Sequence, residues 1–526
     1  MAQKMTNLPL KIVLAAVFCV QAAVLVAWID YPLLDRHAFR QTHTVLIAYW
    51  MLKNANFDLL RYIAPFLGAP WAIPIEFPLY QLFVVAFVKI FPLLELDAAA
   101  RIVSWSFSIA TAYPLYRIVT RYARDAATGL TAACFYLACP FYLFWGRAAL
   151  IDSTALFFSL MCFWQLICLG DNPSWRFAAF AALFGVCAAL VKVTTIPAYM
   201  AAGYVHILCI RKRAAVFSRN AVLFCLPGTL SLLAAYAWHS YAEQVRMLNA
   251  LGSMLTSTDP TMAPWYYGTL QQRLSANTWL ALAKRFFDTT LSHPGTIAFV
   301  CGIAVFFRRT PKSNKLFAGA SIVVFLLPLL VFTNQHYVHT YYQIACVIAL
   351  LAAFAFLISP DKGGKSRKLH AVVVAGICVL LVCGFIPYHT AITEALERET
   401  LVAAEIVRQH TKEDASVIVY GWDWSPEVLY YSQRKGLAVP WLRDKSFVTI
   451  ESPLHLRYQE INVLDVVKRG MGGLPVNALA VRDLASLPEH DRNAIAAILA
   501  AVPVRFEQHH RNVSVYILDP ETVPAR

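Results

Sequence analysis

Charge is scarce in this chain. Asp, Glu, Lys and Arg make up 14% of its 526 residues, where soluble domains carry about a quarter. With 59% hydrophobic residues and a mean hydropathy of +0.54, that shortfall excludes an ordinary soluble protein and indicates a polytopic α-helical membrane protein. Cysteine is missing from the long loops and from the polar C-terminal region. All twelve cysteines sit in apolar runs, which fits small core residues better than a disulfide framework or a metal site. There is no zinc-type ligand spacing, no Walker A motif and no glycine-rich phosphate loop, so no metal, cofactor or nucleotide site is expected. The first apolar run has no small-residue cleavage site and is read as a retained helix.

Net charge is +14, which on its own would suit nucleic acid. The basic residues, however, gather in short loops between apolar runs, the mark of cytoplasmic loops. Membrane topology accounts for them, and no nucleic-acid partner is expected.

Apolar stretches of crossing length lie near 12–29, 100–116, 126–145, 152–169, 177–191, 194–210, 221–241, 295–307, 316–332, 341–358 and 371–388. One stretch, 79–91, is shorter, contains Lys89 and ends at Pro92. If it does not cross, the basic clusters Arg117/Arg121/Arg124, Arg211/Lys212/Arg213/Arg219, Arg308/Arg309/Lys312/Lys315 and Lys362/Lys365/Arg367/Lys368 share the side of Lys4 and Lys11. If it crosses, all four change sides. The positive-inside rule selects the first arrangement. The chain then has about 11 crossings, a cytoplasmic N-terminus and a working face outside the cytoplasm. That face carries a first outer loop over 30–99, a long outer loop over 243–293 and everything after 389.

From about residue 390 the pattern changes. Helical stretches (392–410, 425–434, 484–499) alternate with strand-like runs (416–420, 437–439, 478–481, 513–518). This predicts a soluble α/β domain over 390–526, long enough to bury a core of its own.

Candidate chemistry concentrates on the outer face. Asp30, Asp35, Arg36, His37, Arg40 and His43 crowd the mouth of the first crossing. Behind them Val45, Tyr49 and Leu52 are spaced for an amphipathic helix lying on the membrane surface. Charges at membrane depth are costly and are functional by default, yet each has a plainer reading. Asp35 is a general base or a solvated loop carboxylate. Arg101 and Lys192 are phosphate contacts or interfacial anchors. Arg147 and Asp152 are site residues or a pair across a short turn. Glu76 is a ligand contact or a first-turn acid favoured by the helix dipole. His336, His339, Tyr341 and Tyr342 share one turn, suited to hydrogen bonding with a headgroup or sugar. The cations Arg101, Arg147 and Lys192 suit an anionic lipid headgroup, with a nearby carboxylate to deprotonate an acceptor.

Six pieces in order resemble the GT-C glycosyltransferases of the family that includes protein O-mannosyltransferases and the lipid A aminoarabinose transferase. They are D-R-H-A-F-R-Q-T-H-T from Asp35, E-F-P-L-Y-Q from Glu76, A-A-R-I-V-S from Ala99, G-R-A-A-L-I-D-S from Gly146, L-V-K-V-T from Leu190 and H-T-Y-Y from His339. G-W-D-W-S-P-E-V-L-Y-Y-S-Q-R-K from Gly421 is similar to the soluble tail of some bacterial members.

The resemblance implies a polyprenyl-phosphate-linked sugar donor drawn from the membrane lipid and an inverting transfer outside the cytoplasm, in the plasma membrane of the cell. The acceptor is a glycan, a lipid or a protein. Carried over residue by residue, Asp35 is the base with Asp30 as the other candidate. Arg101 and Lys192, joined by Arg147, hold the donor phosphate. Arg40, His37, Glu76, Asp152, His339, Tyr341 and Tyr342 line the substrates. Many members carry an adjacent Asp-Glu pair before the surface helix, where this chain has Arg40-Gln41, so the base stays open between Asp35 and Asp30. The leaving phosphate is already ionised and needs no general acid. Arg and Lys can supply the positive charge without a divalent metal. Two other classes fit parts of the pattern: a lipid-linked sugar flippase or transporter, and a glycan ligase or polymerase.

Overall fold

All eleven apolar stretches form helices. In the computed structural model, which describes residues 7–211, 221–359, 364–394, 398–441, 450–458 and 463–519, seven helices are long and apolar enough to cross a bilayer, or up to eight if the bent pair Ala276–Thr290 and His293–Phe306 is one span. The chain is thus a multi-pass helical membrane protein with a small C-terminal sheet. The other expected crossings are helical but shorter or more polar, among them Ala126–Ala138, Pro197–Ile210 and Leu96–Ala123. A helix does cover Leu79–Ile90, but its 12 residues span only about 18 Å at the helical rise, well short of a hydrocarbon core. The basic positions Lys212, Arg213, Arg219 and Lys362 lie outside the described residues.

The chain divides into two compact units. The first holds residues 1–31, 87–237 and 269–394. Its core stacks aromatic rings from several helices, with Phe135 edge-on to Phe299 at 4.9 Å and Tyr136 4.4 Å from Tyr142. Lipid offers no partners to polar groups, so those inside must find them within the protein. Tyr142 donates to the carbonyl of Ile344 at 2.9 Å, Tyr136 to that of Ser108 at 2.9 Å, and Gln21 to that of Leu137 at 2.8 Å. Small residues let the helices approach closely: a Cβ at Gly203 would stand 2.5 Å from Leu166. The bend of 94° falls where the backbone leaves the helical ladder, through a π-turn at Phe286–Thr290 and Ser292 at φ 63°.

The second unit holds residues 32–86, 238–268 and 395–526. Five strands order as β2-β1-β3-β5-β4: β1 Ser416–Tyr420, β2 Lys435–Ala438, β3 Ala478–Arg482, β4 Val504–His510 and β5 Val513–Leu518. β1 runs parallel to β2 and β3, while β5 is antiparallel to β3 and β4. The runs 416–420, 437–439, 478–481 and 513–518 appear as β1, β2, β3 and β5. β4 is an addition to the expected set. Its sequence V-R-F-E-Q-H-H is exposed along almost its whole length, so no apolar face marks it as a strand.

Parts of both long loops, residues 32–86 and 238–268, belong to the same unit as this sheet. Residues 65–68 run along β2, with Gly436 N–H donating to Pro65 O at 3.1 Å, Ala438 N–H to Phe66 O at 2.7 Å and Gly68 N–H to Gly436 O at 3.1 Å. Gly68 sits at φ +84°, a left-handed backbone, and a Cβ there would collide with the Gly470 carbonyl, so only glycine fits. The second loop clamps the first. Asn249 Nδ2 donates to the carbonyls of Leu67, Gly68 and Ala69 at 3.1, 3.0 and 2.9 Å, and its Oδ1 accepts from Leu251 and Gly252 N–H at 3.0 and 2.7 Å. Asn249→Ala removes a buried side chain that satisfies five backbone groups. It is expected to lower stability by about 1–3 kcal/mol, read as a drop in the melting temperature of the purified protein. Asn249→Asp, which cannot donate to the carbonyls, should fare no better. Melting unchanged in both variants would show that the loop is held by something else.

Candidate functional site

Two groups of polar side chains carry the expected site residues, one in each unit.

In the helical unit, Lys192 closes the helix Trp175–Lys192 and Asp152 opens the helix Asp152–Asp171. The ammonium meets the Asp152 carboxylate at 2.6 Å, and both side chains are almost fully buried, 6% and 4% exposed. The Tyr342 ring lies over the ammonium at 3.7 Å and the Tyr341 ring at 4.9 Å. His339 stacks on Tyr342 with ring centres 5.6 Å apart, and His336 meets the same ring edge-on at 5.9 Å. Separate stretches of sequence thus build one compartment, with an anionic and an aromatic wall around the Lys192 ammonium. Asp152 Oδ2 is buried and has no hydrogen-bond partner among the described residues, so one carboxylate oxygen remains for a ligand.

Arg101 and Arg147 are also buried, at 0% and 1% exposed. Arg101 Nη2 donates to the carbonyl of Tyr31 at 3.0 Å. Arg147 Nη2 lies 3.0 Å from His389 Nε2, and its guanidinium stacks over Phe144 at 4.9 Å and Trp28 at 5.7 Å. Asp152 therefore pairs with Lys192, and the pairing with Arg147 across the turn is not what forms. Ser104 donates to the Leu150 carbonyl at 3.1 Å, tying the Arg101 helix to the turn that carries Arg147 and Asp152. Asp30 sits in the same unit, exposed at the turn after the first helix.

In the second unit, Asp35 is buried and accepts a hydrogen bond from Gln41, whose amide also reaches the carbonyl of Arg36 at 3.1 Å. Arg40 forms an ion pair with Glu76, and Tyr62 donates to the Glu76 backbone carbonyl at 3.0 Å. Glu76 is thus a partner of Arg40 and lies ahead of the helix Leu79–Ile90, outside its first turn. His37 caps the helix Ala38–Lys53 in the left-handed conformation, φ 54°, its carbonyl accepting from Arg40 and Gln41 N–H.

That helix departs from expectation. Val45 is buried, but so are Arg40, Gln41, Thr42, His43 and Thr44. Aromatic rings surround it: Phe39 lies 4.8 Å from Trp424, and His43 meets Phe66 at 5.0 Å. It is an interior helix of the second unit and has no polar face to offer water at a membrane surface. The spacing of Val45, Tyr49 and Leu52 is helical, but periodicity alone does not reveal the packing that buries the other faces.

Gln41 and His389 are additions to the expected site residues. Gln41 stands out in the sequence only as a departure from the Asp-Glu pattern. His389 follows Tyr388 at the end of an apolar run, and nothing local marks it.

Burial holds two of these imidazoles neutral. His336 is pushed down to about 3, first by burial and then by Lys192 and Arg285. His43 is held well below the usual histidine range by burial and then by Arg40. Neither His336 Nδ1 nor either His43 ring nitrogen has a hydrogen-bond partner among the described residues. A histidine whose folded value lies below its unfolded value of about 6.5 contributes stability that is complete above that pH and is lost as pH falls toward the folded value. Stability should therefore fall between pH 7 and 5, by up to about 1.4 kcal/mol per pH unit per group, read as a drop in melting temperature, and His336→Gln should flatten the slope. A slope equal to wild type in that variant would count against a neutral buried His336.

No family model matches the chain, and no curated protein matches it either. Solved structures do. ArnT from Cupriavidus metallidurans in the apo state matches with a TM-score of 0.54 at 13% identity, covering 97% of this chain and 99% of that one. The same enzyme bound to undecaprenyl phosphate matches with a TM-score of 0.53 at 13% identity over the same shares. The arabinofuranosyltransferase AftD from Mycobacteria matches with a TM-score of 0.52 at 12% identity, covering 96% of this chain and 40% of that one.

Proposed function

We propose, for a chain whose fold is that of the GT-C glycosyltransferases, that it transfers a sugar from a polyprenyl-phosphate-linked donor to an acceptor outside the cytoplasm. The observation that carries the reading is the buried Lys192 compartment. An ammonium is held there in a membrane-spanning unit by Asp152 and two tyrosine faces, and the same unit buries the guanidinium groups of Arg101 and Arg147. A buried cation in a membrane-spanning unit is by default a functional-site candidate, and a lipid phosphate is the anion a bilayer delivers. The structure of ArnT bound to undecaprenyl phosphate supports the same donor class.

In this reading Lys192, Arg101 and Arg147 neutralise the departing lipid phosphate. Asp35, oriented by Gln41, takes the proton from the acceptor nucleophile as it attacks the anomeric carbon in line. The bond to the phosphate oxygen breaks as the new glycosidic bond forms, with inversion. Asp30 is the second candidate for the base. Asp152, His37, Arg40, Glu76, His339, Tyr341 and Tyr342 shape the donor and acceptor pockets. The basic loops face the cytoplasm, and the C-terminal α/β region, 390–526, faces outward.

Asp35→Asn should reduce transfer by a factor of about 10²–10⁴ while leaving donor binding near wild type, measured with purified protein and a polyprenyl-phosphate sugar. If Asp35→Asn and Asp30→Asn each keep wild-type rates, the assignment of the base to these two residues is overturned. Lys192→Ala should weaken binding of polyprenyl phosphate, but it also strands Asp152 as a buried unpaired charge, a loss of about 3–5 kcal/mol. The double variant Lys192→Met/Asp152→Asn removes both charges. It should recover the melting temperature without recovering the affinity, and recovered affinity would take Lys192 out of the phosphate site.

A further inference from the structure

The helical unit contains a second lipid-sized feature that this reading does not use. A cavity of about 800 Å³ opens between the helices Leu96–Ala123, Asp152–Asp171, Pro197–Ile210, Lys312–Val331 and Ile344–Leu357. Its walls are mostly apolar, with Leu115, Val119, Phe163, Tyr199 and Phe356 among them. Val205 and Val323 also line it and remain 58% and 63% exposed, so the groove is open along its side where the hydrocarbon of a bilayer lies.

One end of the groove is cationic. Arg121 and Arg124 line it there, Arg117 stands one turn before Arg121 and stacks 4.6 Å from Trp164, and Arg211 is bonded to the carbonyls of Gly170 and Asp171 at 2.8 Å each. Two acids stand at this rim: Asp171, which takes Arg121 through both oxygens at 2.8 and 2.7 Å, and Asp125, next to Arg124 in sequence, which meets Arg367 at 3.5 Å. Five guanidinium groups, those of Arg117, Arg121, Arg124, Arg211 and Arg367, stand against these two carboxylates, and the Arg124 side chain is exposed at a left-handed helix end. Arg101 and Arg121 lie on one helix, twenty residues apart. That is about 30 Å along the axis, the thickness of the hydrocarbon core. The rim therefore sits at the membrane boundary opposite Arg101, too far away to hold the same phosphate.

We propose that this groove is a binding site for an anionic glycerophospholipid of the leaflet bordered by the basic loops, with an acyl chain along the apolar wall and the headgroup phosphate at Arg124 and Arg121. Charge complementarity favours the anionic class: in a zwitterion the headgroup cation offsets the attraction of its phosphate to a rim with this excess of guanidinium groups. A ligand of this kind would brace the helices Pro197–Ile210 and Lys312–Val331 at the mouth of the groove.

Native mass spectrometry of the full chain, with phosphatidylglycerol and phosphatidylcholine added at equal concentration, tests this. Wild type should retain phosphatidylglycerol several-fold over phosphatidylcholine. Arg124→Gln, which disturbs no packing, should bring the ratio to within about twofold. Ala202→Trp or Ala320→Trp, filling the groove from either wall, should lose both adducts while the charge-free double variant Lys192→Met/Asp152→Asn keeps them. Equal retention of the two lipids by wild type, or a wild-type preference in Arg124→Gln, overturns the proposal. Displacement of phosphatidylglycerol by undecaprenyl phosphate at equal concentration overturns the assignment of the occupant.

Discussion

Lys192 and Asp152 sit where a bilayer would otherwise forbid them. An isolated ion buried in a low-dielectric interior is penalised by several kcal/mol even after relaxation, and two of them are tolerated here because each is the other's counter-ion at 2.6 Å. The tyrosine faces over the ammonium supply part of the solvation that water would have given. That one contact ties the end of one long helix to the start of another and draws in the turn carrying His336 and His339. The elements around it are arranged so that a positive charge can be kept dry with one carboxylate oxygen still unspent.

The second unit solves a different problem. Two loops that are long in sequence would be entropically expensive to hold if each were independent. Here residues 65–68 extend the sheet beside β2, and Asn249 fastens them from the other loop with both ends of its amide. The helix Ala38–Lys53, with Asp35 and Gln41 at its start, is packed into the same body. Asp35 is therefore carried by a framed segment, as a group that needs a defined orientation requires.

Much of this architecture is legible in the order of the residues. The eleven apolar stretches and four of the five strands follow from composition and period, because both are local and repeat over many residues. The cations of interest can also be named, since charge at membrane depth is rare enough for each instance to stand out. Their partners cannot. Arg147 meets His389, 242 residues away in sequence, and Asp152 meets Lys192 where a local pairing with Arg147 is just as compatible with the sequence. β4 leaves no mark because an exposed edge strand carries no apolar alternation.

What the sequence determined by itself is the class of molecule: a helical membrane protein with basic connectors, a polar α/β tail and a short set of charges where water meets lipid. Those properties depend on hydropathy and charge counted along the chain. Which charges neutralise one another, which face of the helix Ala38–Lys53 is buried, and how two distant loops join one sheet were decided only by the tertiary structure. Such choices are set by which surfaces meet in space, and residues that meet there leave no periodic trace along the chain.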